Sequence, residues 1–202
     1  MTMEVLYSKR YFKTVFVKAM LDTTKLFLSQ EQAGFSLEAC LQNLTNLSEN
    51  YRQETGQTYI TGHAGNLRIG ISEQGVSITG SLPKFYTGTN LHTLSRSDCR
   101  RAFEMMADTL HLPVQRAKIS RVDVGLNLLT DHRPELYYPY FGQSRYYTRL
   151  TQPKSITYQN NLRSVKAYNK IAESKSKGVV IPEVYAGKNL LRFEVCYMQR
   201  LS

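Results

Sequence analysis

The stretch SVKAYNKIAE, residues 164–173, decides how the chain is read. Side chains on an extended strand alternate between faces, so Lys166, Tyr168 and Lys170 share one face while Val165, Ala167 and Asn169 share the other. A ring between two cations is a strong local choice, and the flanking segments say what that face belongs to. Upstream, SITYQ (155–159) is separated from this run by Asn160 and Asn161, which tolerate left-handed turn geometry, so the two segments predict a hairpin. Downstream, Lys170 to Lys177 reads as helical or frayed. NLLRFEVCYM (189–198) then alternates again, with Leu191, Phe193 and Val195 on one face and Arg192 and Glu194 on the other.

Further out, KISRVDVGLNLL (118–129) alternates as a half-buried strand, with Val122, Val124, Leu126 and Leu128 inward and Arg121, Asp123 and Asn127 facing away. The Tyr/Arg-rich segment 130–154 has internal prolines and predicts a short irregular helix followed by a long loop that grips substrate. SRSDCRRAFEMMADTLHLP (95–113) predicts a helix: Ser95 with Asp98 resembles a capping box, Phe103, Met106, Ala107 and Leu110 form an apolar stripe, and Pro113 ends it. TYITGHAG, LRIGIS and VSITGS, between 58 and 81, predict short antiparallel strands with a turn at EQG. Ser36 as N-cap, with Leu37, Leu41, Leu44 and Leu47 at three- and four-residue steps, predicts an amphipathic helix. EVLYSKRYFKTVFVKAM (4–20) predicts a first strand. Together these segments predict one α+β domain over residues 1–202, with helices packed on one face of an antiparallel sheet.

Composition narrows the class. No apolar run approaches the ~20 residues of a membrane span, and early charges argue against a signal peptide, so a cytoplasmic protein is expected. Cys40, Cys99 and Cys196 are widely spaced and odd in number, which argues against a disulfide framework or a thiolate metal site. The 26 Lys and Arg against 16 Asp and Glu leave a net charge of +10, and the cations recur beside rings in SKRYFK, SRYYTRL and NLRSVKAYNK. That mixture suits nucleic acid, cations pairing with phosphates and rings stacking on bases. Arg121, Arg145, Tyr146, Tyr147, Arg149, Arg163 and Arg192 are the candidate contacts.

Three late strands each expose a polar set: Arg121/Asp123, Lys166/Tyr168/Lys170 and Arg192/Glu194. If helices cover the apolar face, these sets share the open one. Carboxylates brought close need cations or a divalent metal between them. One reading is a salt-bridge network of Arg121 and Arg192 with Asp123 and Glu194. The other is a Mg²⁺ or Mn²⁺ site, since such ions take carboxylate oxygens together with substrate phosphate. Tyr168 would then be a nucleophile. A phenol with pKa near 10 is only about 0.1% ionised at pH 7, and lowering it by ~3 units takes roughly 4 kcal/mol, which a metal with Lys166 or Lys170 could supply. Lysine would also offset charge developing on phosphorus.

ISRVD, VKAYNKIAE and LLRFEV, in this order and spacing, resemble the nuclease domain of filamentous-phage gene II replication proteins and related plasmid rolling-circle initiators. The resemblance spans most of the chain and is clearest from about residue 65 onward. It implies an initiator that nicks one DNA strand, becomes linked to the 5′ phosphate through tyrosine, and later rejoins the strand. It implies Tyr168 as nucleophile, Asp123 and Glu194 as metal ligands, and Glu173 as a further ligand, because KxxE follows the tyrosine in relatives. It also implies a divergent relative of the His-hydrophobic-His (HUH) nuclease fold, DNA as partner, and a host helicase and polymerase working alongside. Relatives run longer, so a C-terminal region is expected beyond this domain. The chain departs from the pattern in having no His-x-His pair: His63, His92, His111 and His132 stand apart, with His63 read as a loop histidine. Ser77 stands where some relatives carry an acidic residue. The competing reading is a non-catalytic origin- or operator-binding protein, and a weaker one is an RNA binder.

Overall fold

A computed structural model describes residues 20–34 and 37–198. The strand expected over 4–20, the basic SKRYFK run and the Ser36 cap lie almost wholly outside those residues. In chain order the elements are β1 (Met20–Ser29), α1 (Gln30–Ala33), α2 (Leu37–Gln42), β2 (Thr45–Arg52), β3 (Gln57–Ala64), β4 (Leu67–Ser72), β5 (Gly75–Ser81), α3 (Leu82–Thr87), α4 (Arg96–Leu110), β6 (Lys118–Thr130), β7 (Thr148–Gln152), β8 (Ser155–Gln159), β9 (Arg163–Asn169), α5 (Lys170–Ser176) and β10 (Asn189–Met198). Short 3-10 turns stand at Val114–Arg116, Pro134–Tyr140 and Glu183–Tyr185. The chain divides into two compact units, Leu21–Asp123 and Val124–Tyr197, with Met20 counting in the second.

In the first unit the strands run in the order β2-β3-β4-β5-β1, followed by the first half of β6. The β2·β3, β3·β4, β4·β5 and β5·β1 ladders are antiparallel. Its core gathers Leu26 and Leu28 from β1, Leu67, Ile69 and Ile71 from β4, Val76 and Ile78 from β5, and Ala102, Met106 and Leu110 from α4. The predicted stripe of α4 therefore faces the sheet, and its Ser95/Asp98 capping box forms in both directions. Burial pushes the Cys40 thiol, at this core, up to about 11.

In the second unit the order continues from the second half of β6 through β10-β9-β8-β7, and β10·β9, β9·β8 and β8·β7 are antiparallel. The core here is small: Tyr138, Ile156, Ala167 and Leu191, with Leu128, Phe141, Tyr158 and Phe193 packed around them. Phe141 and Phe193 meet at a centroid distance of 5.6 Å and 52°, a tilted aromatic contact.

The expected α+β architecture, helices layered on one face in the manner of an HUH nuclease, is not the one observed. Strand accounts for 45% and helix for 29%, so ten strands dominate the fold. Among the described residues only α4 exceeds seven residues, and the second unit has only the seven-residue α5 as an α-helix.

The helix expected from Ser36 through Leu47 stops at Gln42, and Leu47 lies in β2. The whole of β2 is exposed or nearly so, so it buries no face and carries no alternating pattern to betray it. A Cβ on Gly62 of β3 would come within 3.0 Å of both Leu44 and Leu47, so that glycine lets the two leucines, spaced as if on a helix, pack over a strand. β1 alternates Met20, Asp22, Thr24, Leu26, Leu28 on its buried side, a polar-apolar mixture that hides a strand. TRLTQ forms β7 rather than loop, and His63 sits within β3 rather than in a loop.

Candidate active site

The hairpin β8–β9 and the strand β10 build the site in the second unit. Tyr168 pairs with Arg192 on one side and Ser155 on the other, while Lys166 pairs with Glu194. Neighbouring positions two apart on paired strands fall on the same face within reach of long side chains. Tyr168 Oη accordingly donates to Glu194 Oε2 at 2.9 Å. The two lysines that alternation places beside the ring are there: Lys166 Nζ is 5.7 Å and Lys170 Nζ 5.9 Å from the ring centroid, both within cation–π range.

The lysines differ in environment. Lys166 is exposed, so its ammonium can meet a phosphate. Lys170 is 1% exposed and begins α5, where Nζ bonds Glu173 Oε2 at 2.8 Å. Lys177, one helical turn along, pairs with the other oxygen of Glu173. Burial alone would raise the Glu173 carboxyl, but the hydrogen bonds and charges of Lys170 and Lys177 outweigh it and hold the carboxyl at about 2.

Arg192 is wholly buried, which makes it an internal cation and not a surface DNA contact in this structure. Its Nε lies 3.4 Å from Glu194 Oε2 and its Nη1 3.2 Å from Asn127 Oδ1 on β6. The guanidinium lies so close against Gly125 that an added Cβ would collide with Nη2 and Cζ. The glycine of RVDVG is thus a cradle for a side chain far later in the chain.

The phenol is not activated in the way the lysines suggested. Burial pushes the Tyr168 hydroxyl well above its ordinary pKa; Arg192 pulls it down, while the charge of Glu194, its hydrogen bond and the charge of Glu173 push it up again. Neither lysine is among the groups that shift the hydroxyl. Tyr168 therefore stays protonated, with a carboxylate in position to receive its proton.

The remaining predicted residues separate. In the first unit, Arg121 grips Asp123 in a bidentate pair, Nε to Oδ1 at 2.8 Å and Nη2 to Oδ2 at 2.6 Å, with Asp123 only 1% exposed. The face expected to be open is therefore a buried one at both Asp123 and Arg192. Arg149 on β7 turns inward, its Nη2 3.4 Å from the Tyr138 carbonyl. Arg145 stacks over Tyr146 at 5.7 Å and Arg163 over Tyr197 at 5.8 Å, all four exposed, whereas Tyr147 is half-buried.

Among the described residues no three His, Cys, Asp or Glu side chains gather as a metal cluster. Both oxygens of Asp123 are taken by Arg121, and both of Glu173 by lysines. Glu194 is different: its Oε2 is engaged, its side chain is 23% exposed, and among the described residues no hydrogen bond reaches Oε1. One free carboxylate oxygen suits a cation that takes its other ligands from water and phosphate.

Sequence reasoning misses two groups. Asp22 on β1 is buried with Ser81 Oγ at 2.5 Å and Asn90 Nδ2 at 3.4 Å, a polar cluster whose members lie far apart in the chain. Asn160 reads in the sequence only as a turn residue, yet its Oδ1 accepts from the N–H groups of Leu162 and Arg163, and its Nδ2 donates to the Tyr146 carbonyl at 3.4 Å. The Asn-Asn pair is the available signal, since an Asn that caps a turn has an amide left for a second loop.

No curated protein matches the chain. Residues 20–202, which include every residue of the site just described, match the family model for the N-terminal region of the phage gene II replication-associated protein, and the chain belongs to that family.

Proposed function

We propose that this rolling-circle replication initiator nicks one strand of its DNA with Tyr168 and keeps the 5′ end as a phosphotyrosine. The hydrogen bond from Tyr168 Oη to Glu194 Oε2 carries the reading, because a nucleophile in contact with its base is the arrangement that phosphoryl transfer from a protonated phenol needs. As Oη bonds to phosphorus its proton passes to Glu194, and the 3′ oxygen leaves and is protonated by solvent. Rejoining reverses the step: a 3′ hydroxyl attacks the phosphotyrosine and gives its proton to solvent, the bond from phosphorus to Tyr168 Oη breaks, and Tyr168 recovers its proton from Glu194. Exposed Lys166, 5.7 Å from the ring centroid, neutralises charge on the pentavalent phosphorus, while the buried pair of Lys170 and Glu173 fixes the second ammonium 5.9 Å from the same ring. Arg192 positions Glu194 by its Nε contact.

Mg²⁺ or Mn²⁺, held by Glu194 with water and the scissile phosphate, would polarise the P–O bonds. Host helicase and polymerase belong to the same proposal, as does action in the cytoplasm of a bacterial host; among the described residues no helix is long and apolar enough to cross a membrane. The test is incubation with labelled single-stranded oligonucleotides and Mn²⁺, then mass mapping of any nucleotide-linked tyrosine. Tyr168→Phe should abolish the adduct and leave DNA binding intact, and adduct formation should stop on adding a chelator. An adduct that survives Tyr168→Phe would sink the proposal.

A second reading has its own support: Asp123 and Glu173 spend both oxygens on cations, as they would in a binding module whose carboxylates only orient arginine and lysine. It predicts salt-sensitive DNA binding with no scission under any metal.

A further inference from the structure

The register of the second unit aligns Thr148, Gln159, Ser164 and Cys196 across β7, β8, β9 and β10. Residues just beyond that line, Arg145 and Tyr146 before β7, Arg163 on β9 and Tyr197 on β10, therefore occupy one end of the sheet. Two arginine–tyrosine stacks stand there, and both tyrosines are exposed: Tyr146 is 73% and Tyr197 47% exposed. Each ring has a cation near it and a large area left in water, which an isolated tyrosine in a folded domain usually covers.

Beside the first stack is an open hollow of about 380 Å³ lined by Arg145, Tyr146, Tyr147, Gln159, Asn160 and Asn161. The hollow is held in shape, because Asn160 ties the Tyr146 carbonyl to the β8–β9 turn. Its rim carries the exposed amides of Gln159 and Asn161, a donor–acceptor pair that matches base edges, and a guanidinium that matches phosphate. Among the described residues no carboxylate lines it.

We infer that this end of the sheet is a base-stacking site for unpaired DNA, in which one base lies on Tyr146 within the Asn160-braced hollow. The inference deepens the nicking reading and rests on it for the identity of the ligand.

The test compares fluorescein-labelled oligothymidylate, oligoadenylate and an abasic oligonucleotide of equal length, by anisotropy, with wild type, Tyr146→Ala and Asn160→Ala. Tyr146→Ala should weaken binding to the base-bearing strands by about 5- to 150-fold and leave the abasic strand unchanged. Asn160→Ala should show the same selective loss, smaller in size. Melting of Tyr146→Ala should match wild type, since the ring is exposed. Equal losses on base-bearing and abasic strands, or no loss, would overturn the inference. If the Tyr168 adduct forms but Tyr146→Ala binds as wild type, the stacking site falls alone. If base-selective loss is seen but no adduct ever forms, the nicking reading falls and the stacking site stands.

Discussion

Glu194→Gln separates a proton acceptor from a mere hydrogen-bond partner. The amide keeps the size of the side chain, and its oxygen can still accept from Tyr168 Oη across the 2.9 Å now spanned by Oε2, but it cannot take the proton. Tyr168 is held above its ordinary pKa, so less than about 0.1% is ionised at pH 7, and attack by pre-formed phenolate forfeits at least about 10³ in rate. Loss of a general base costs ~10²–10⁴, or about 2.7–5.4 kcal/mol of barrier. The assay is single-turnover adduct formation on a denaturing gel with saturating labelled DNA, with affinity measured separately by anisotropy. Adduct formation should fall ~10²–10⁴-fold while affinity stays within about twofold. A Gln variant that forms adduct within about threefold of wild type would refute base catalysis by Glu194, and a loss shared equally by binding would reassign Glu194 to substrate contact.

Lys166→Ala should slow adduct formation by about tenfold without changing the melting temperature, because the side chain is exposed, whereas Lys170→Ala should destabilise the fold by about 2–4 kcal/mol, leaving Glu173 short of its buried partner; chemical denaturation of both variants checks this. Glu173 contributes stability of order 2–3 kcal/mol that is complete above its ordinary value of 4.5 and declines as pH falls toward about 2, so the urea difference between wild type and Glu173→Gln should be roughly halved at pH 3. Gly125→Ala should cost ~2–3 kcal/mol, since its Cβ would meet a guanidinium with no solvent to retreat into, while Gly142→Ala, with nothing within 4 Å, should be near neutral; equal melting temperatures for the two would contradict the cradle.

Much of the fold was legible where the apolar residues of a segment keep the period of its element. The α4 stripe and cap, β3 to β5, β6, the β8–β9 hairpin and β10 all alternate or repeat in the period of their element. The misreadings share a cause. β2 and β7 are largely exposed and bury little on either face, and β1 buries Asp22 and Thr24 beside Leu26 and Leu28, so neither hydrophobic period nor its absence marks them as strands.

For the site, alternation by itself determined that Lys166 and Tyr168 share a face with Lys170 beside them, and the order of three short motifs determined the family. Only the tertiary structure decided what those groups do to one another. It put a carboxylate against the phenol oxygen and the lysines over the ring, buried Arg192 against Gly125, and gave both oxygens of Asp123 to Arg121. Strand periodicity is local, fixed by the backbone of adjacent residues, whereas the protonation of Tyr168 depends on burial and on charges brought from β10 and α5, and those distances exist only once the strands have paired.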